Sequence, residues 1–146
     1  MVWVLLSGLG CGCSSWEGDR LYDTGDSGCW ALENPVVVSS EIDASSIRPQ
    51  VYINFGQDYP YMNLQMSLRW TGPSGQEDRY DFQSTVVDPA GDWLIDAEGA
   101  SYPLILTLKD SIVIPEPGRW TFTLSHNMRE EQICQIRQVG IRLEME

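Results

Sequence analysis

Positive charge is scarce in this chain: nine Lys and Arg side chains stand against 21 Asp and Glu, for a formal net charge of −12. That balance opposes binding along a nucleic-acid backbone and direct adsorption to an anionic lipid surface, both of which need cations to neutralise phosphate. A basic protein face, a divalent cation or simple solubility remain compatible with it. Histidine is scarcer still, with His126 alone, and the four cysteines at 11, 13, 29 and 134 are spaced too unevenly for a zinc pattern. Neither a metal nor a cofactor is expected. Long apolar runs are missing too. The opening MVWVLLSGLG falls far short of the roughly 20 apolar residues that a membrane-spanning helix needs. No stretch reads as a three-turn amphipathic helix, so the repeated crossovers that a parallel sheet requires are absent.

What the chain does have is aromatic area and alternation. Six Trp, six Tyr and three Phe oppose global disorder, and 146 residues suit one domain with one core. The clearest signal runs from Val51 to Trp70. Val51, Ile53 and Phe55 alternate with Tyr52 and Asn54. After GQDYPY, Met62, Leu64, Met66, Leu68 and Trp70 alternate with polar residues, a period of two that buries one face of a strand. Similar runs place strands at 36–42, 80–86, 104–108, 112–114, 120–124 and 139–145, with Ala44 to Pro49 read as a connector. Gly72, Pro73 and Gly75 mark a reversal, and Pro115, Pro117 and Gly118 another. About seven strands without helices predict an all-β fold, an antiparallel two-sheet β-sandwich, with a closed barrel as the nearest alternative.

The organisation expected is an export signal at 1–10, a lipid-proximal tether at 11–35 and a single sandwich domain at 36–146. A short apolar segment before Gly10 and Cys11 suits a signal peptide, although a basic start is lacking. An ordinary first strand, or a start codon assigned too late, is the plainer reading. Cys11 is the expected lipidation site, with Cys13 as the alternative; Gly8 and Gly10 leave both without an aliphatic residue three places upstream. The tether should order only where Leu21, Tyr22 or Trp30 finds a pocket. In an oxidising compartment Cys29 and Cys134 could pair as a disulfide. Their separation shows no proximity, and independent roles, including a buried thiol at Cys134, weigh more.

Site chemistry is sparse. Ser125 and His126 are neighbours on a strand and point to opposite faces, so they do not make a nucleophile and base. His126 reads instead as an end-of-strand group closing the core. Asp58, Tyr59 and Tyr61 form a candidate recognition loop, and Asp92 and Trp93 lie in a long acidic connection at 88–99. Those acids do not fit a calcium-loop motif. Trp93 is expected to anchor that connection at one end of the sandwich, with Arg129 in an ion pair to its acids. Exposed rings at Tyr59, Tyr61 or Trp93 would point instead to a ligand- or glycan-binding module.

NFGQDYPYMNLQMSL at 54–68, DPAGDWL at 88–94, HNMR at 126–129 and VGIRLE at 139–144, together with Tyr22 and Trp30, resemble the gliding motility lipoprotein GldH family. The resemblance implies an exported lipoprotein, held at the cell membrane or outer membrane by an N-terminal lipid and facing the periplasm. It further implies a structural or assembly role with envelope or gliding-machinery proteins as partners, and it supplies no catalytic residues.

Overall fold

Each long alternating run becomes a strand in the computed structural model, which describes residues 16–146. The expected export signal at 1–10, and with it Cys11 and Cys13, lies outside the described residues. In chain order the strands are β1 (Arg20–Asp23), β2 (Cys29–Ala31), β3 (Val36–Ile42), β4 (Ser46–Gly56), β5 (Asn63–Thr71) and β6 (Glu77–Thr85). There follow β7 (Ser101–Thr107), β8 (Ile112–Val113), β9 (Gly118–His126), β10 (Gln132–Cys134) and β11 (Ile136–Met145). Apart from one 3-10 turn at Gly25–Ser27, no helix occurs among the described residues, and hence none long and apolar enough to cross a membrane.

One sheet runs β1-β11-β4-β7, with β8 also pairing β4, and the other runs β3-β9-β5-β6; all pairings are antiparallel. The sheets share no strand, which makes this a sandwich and not the closed barrel. β2 and β10 form a separate two-stranded ribbon. Between the sheets, Val51, Ile53 and Phe55 of β4 and Val139 and Ile141 of β11 face a common core with Leu64, Met66 and Leu68 of β5 and Trp120, Phe122 and Leu124 of β9, all essentially solvent-free. Burying such side chains contributes roughly 1.5–3 kcal/mol each, set against the entropy of ordering them.

Two boundaries differ from expectation. The connector predicted at 44–49 is largely strand, because β4 starts at Ser46 and pairs with β8 and β11. Pro49 is tolerated there because it sits where β7 stops: it has no N–H to offer, and its carbonyl accepts from the Leu108 N–H at 3.0 Å. The ordered domain also begins well before residue 36. β1 pairs with β11 through four residues, and Thr24 Oγ1 donates to the Ile136 carbonyl at 2.7 Å. Tyr22 packs against the core and Trp30 is fully buried within it.

Candidate functional site

The predicted recognition loop is mostly packed on itself. Tyr59 is 7% exposed, donates its hydroxyl to the Asn63 carbonyl at 2.8 Å, and has its pKa raised first by burial and then by the neighbouring Tyr61. Its ring meets Phe55 at 4.7 Å and Tyr61 at 5.6 Å, both edge-on. Phe55 in turn lies 5.9 Å from Trp93, which stacks on Tyr102 at 3.9 Å. Trp93 is half-buried and is bridged to Val87. These rings therefore form one ladder at an end of the sandwich, in which Tyr59 is buried while Tyr61 and Trp93 stay partly exposed. Asp58 and Asp92 are exposed beside it. The acidic connection stabilises its own turn, since Asp88 Oδ1 accepts from the Ala90 N–H at 3.0 Å and the Asp92 N–H at 2.9 Å. Among the described residues, no three His, Cys, Asp or Glu side chains are grouped where they could hold a metal ion.

Arg129 corrects an expectation. It is exposed and makes no ion pair among the described residues, lying beside Tyr61, Gln65 and Met128 in a shallow hollow. The Asn127 N–H bonds to the Gln65 carbonyl at 2.7 Å and Met128 packs against the core, so the chain at 129–131 is turned outward to water. His126 is held from both sides. Its Nε2 lies 3.0 Å from the Glu131 carbonyl and its Nδ1 accepts from the Met128 N–H at 3.2 Å. A carbonyl only accepts and an amide N–H only donates, which requires the neutral tautomer with its proton on Nε2. Trp30 packs edge-on at 5.5 Å, and burial pulls the imidazole below its ordinary pKa despite the opposing effect of the Glu131 carbonyl.

Cys29 and Cys134 face each other in the β2–β10 register and are joined, with sulfurs 2.01 Å apart across a separation of 105 residues. The bond ties the N-terminal strands to the segment leading into β11.

A wide concavity lies elsewhere, on the outer face of the five-stranded sheet. Register aligns Leu21, Gly140, Tyr52 and Ile105 in one row, and Asp23, Gln138, Asn54 and Pro103 in the next. Over these rows stand the turn at 25–28 and the loop at 98–101, enclosing a hollow of about 850 Å³ floored by Asn54 and walled by Asp26, Glu98 and Arg137. A second hollow of about 600 Å³ continues from it past Trp16, Gln50 and Arg142, and the two share Tyr52, Glu98 and Pro103. Trp16 stacks nearly parallel on Tyr52 at 4.9 Å and donates Nε1–H to Gln50 Oε1 at 3.2 Å. Gly140 makes room: a Cβ there would come within 2.4 Å of the indole. Sequence reasoning passed over Trp16 and this face. The available signal was Gly140 itself, a glycine inside a regular strand run, which marks a close approach by another group.

A family model described as GldH lipoprotein matches residues 20–143. No curated protein and no solved structure gives a significant match to the chain.

Proposed function

The chain belongs to the GldH lipoprotein family, and on that premise we propose that it is a lipid-anchored, non-catalytic component of the cell envelope, serving assembly of gliding-motility machinery from the periplasmic side of its membrane. The observation that carries this reading is the extent of the family match, which runs from the start of β1 almost to the end of β11 and so takes in the whole sandwich. The chemistry agrees with a scaffold. His126 has both ring nitrogens engaged by backbone groups, and Ser125 beside it lies on the opposite face of β9.

The anchor in this reading is acyl chains on Cys11, with Cys13 as the alternative. Each buried methylene contributes about 0.8 kcal/mol, so two or more chains hold even a strongly anionic domain at a bilayer. Intact-mass analysis with N-terminal peptide mapping tests it. Cys11→Ser should leave the chain unprocessed and unacylated while Cys13→Ser keeps a mature acylated form; an unacylated wild-type chain would sink the lipoprotein mechanism. Deleting the gene in a gliding host should abolish surface spreading while leaving growth intact. Unchanged spreading would remove the motility role and leave the anchor.

A further inference from the structure

We propose that β6 is a self-association edge: two copies of the chain pair antiparallel through this strand, with Tyr80 opposite Tyr80 of the second copy, so that their four-stranded sheets join into one. Neither the lipid anchor nor motility is needed for this pairing. The other outer strands of the two sheets are short or obstructed. β1 and β8 have four residues and two, β7 carries Pro103 within its run, and β3 lies close to β1 and β11. By contrast, β6 has nine residues and pairs with β5 from Glu77 to Thr85 without a register shift. It contains no proline, glycine or lysine, and every residue in it except Phe82 and Ser84 is exposed. Its outward N–H and C=O groups therefore form a regular ladder without the devices that normally block a sheet edge.

The side chains select the partner and the register. On the outer face of β6, Arg79 stands directly opposite Arg69 of β5, a like-charged neighbour. Beside it, Asp81 Oδ1 accepts from Arg79 Nε at 2.8 Å and from Ser67 Oγ at 2.7 Å. With Tyr80 on the two-fold axis, Arg79 of each copy faces Asp81 of the other, and Glu77 faces Gln83. Opposite charges then meet on both sides of the axis, and no acid faces an acid. Neighbouring registers lose this match. Centring on Arg79 or Asp81 sets that residue against itself, centring on Asp78 opposes two acids, and centring on Phe82 places Asp81 against Gln83. The strand is thus complementary to its own copy in one alignment. On the inner face, Tyr80 is 37% exposed and stacks on Phe82 at 5.7 Å. Next to Tyr80 a hollow of about 350 Å³ is lined by Trp70, Leu108, Ile112 and Val113, the last 72% exposed. A Tyr80 ring arriving from the second copy covers that apolar lining, which gives the contact an aromatic centre flanked by charge pairs.

The test uses the full chain with Cys11→Ser and Cys13→Ser, which leaves the bonded Cys29 and Cys134 as its cysteines, in detergent micelles held in excess over protein. Sedimentation velocity should show a monomer–dimer equilibrium with a dissociation constant below about 100 μM. Arg79→Asp, and separately Asp81→Arg, should each weaken the dimer about ten-fold or more, because like charges then face each other, at an unchanged β-rich circular dichroism. The double variant Arg79→Asp, Asp81→Arg exchanges the two charges and should restore most of the affinity. On oxidation, Tyr80→Cys should give an intermolecular disulfide, since facing Cα atoms lie about 4.5–5.5 Å apart. Gln83→Cys, about 20 Å from its counterpart in this register, should not. The proposal is overturned if the chain stays monomeric up to about 500 μM, or if both single charge reversals dimerise as the parent does. A cross-link through Gln83→Cys but not through Tyr80→Cys would overturn it as well, by placing the contact in another register.

Discussion

His126 is a residue whose protonation state is set by the two backbone groups that hold its ring. Its neutral form is required by a donor on one side and an acceptor on the other, so protonation would set an N–H against the Met128 N–H. The folded pKa is depressed while the unfolded value stays near about 6.5. Between those two values the unfolded chain binds more protons, so the His126 contribution is intact above about pH 6.5 and is lost as pH falls through the folded value. Asp81 and Glu146, whose carboxyls are held low mainly by Arg79 and Ser111, titrate in any variant and cancel in a difference. Urea midpoints followed from about pH 8 to 5 should therefore fall more steeply for the wild type than for His126→Gln; parallel curves would show that the imidazole is not under strain on protonation. At the same scale, Trp93→Ala removes a half-buried ring stacked on Tyr102 and should cost about 2–3 kcal/mol in equilibrium unfolding, whereas Arg129→Ala, exposed and without an ion pair, should stay within about 0.5 kcal/mol. The ring was readable as an anchor because a bulky apolar group interrupts an acidic loop. That Arg129 would be left without an ion pair among the described residues was not readable, because it depended on where the backbone turns after β9.

Elements were legible where alternation ran long enough to be read. β3, β5, β9 and β11 each carry seven or more residues, enough alternation to show which side faces the core. β1, β2 and β10 have three or four, too few for any period, and their existence comes from the partner strand that each one meets. The ribbon of β2 and β10 is the sharpest case. Three residues a side would not hold as an isolated pair. It stands because Trp30 and Ile133 are fully buried beneath it, Trp30 Nε1–H donates to the Asn34 carbonyl at 3.0 Å, and the Cys29–Cys134 bond closes it. In the chain-entropy account, a cross-link spanning 105 residues constrains the unfolded chain by about 4–5 kcal/mol. The Cys29→Ser, Cys134→Ser double variant should lose a similar amount in denaturant unfolding while keeping its β-rich circular dichroism, since the buried side chains remain. A loss below about 1 kcal/mol would mean that burial alone holds the ribbon.

For the whole molecule, the class of fold was written in the alternation, but the hollow over the outer face of the five-stranded sheet was not, because it is assembled across β1, β11, β4 and β7 from residues far apart in sequence. Trp16 completes it and also fixes the direction from which the N-terminal segment arrives. The Asp19 N–H bonds to the Ile141 carbonyl at 2.9 Å, Asp19 Oδ2 accepts from the Leu143 N–H at 2.6 Å, and the indole is seated over Gly140. Five residues separate Trp16 from Cys11, a contour of at most about 18 Å. If Cys11 is the acylated residue, this reach holds the outer face of the five-stranded sheet toward the bilayer and turns the opposite sheet toward the periplasm. Two exposed reporters separate the faces: Ile105, 54% exposed on the outer side of β7, and Val37, 44% exposed on the outer side of β3. With Cys13→Ser as background and a spin label at either Ile105→Cys or Val37→Cys, acylated protein on liposomes bearing a nickel-chelating headgroup should show faster relaxation at position 105. Trp16→Ala should reduce the difference by freeing the strap. Equal relaxation at both positions in the Trp16 form would mean that the domain pivots freely about its anchor, and the seat of Trp16 would then play no part in orienting it.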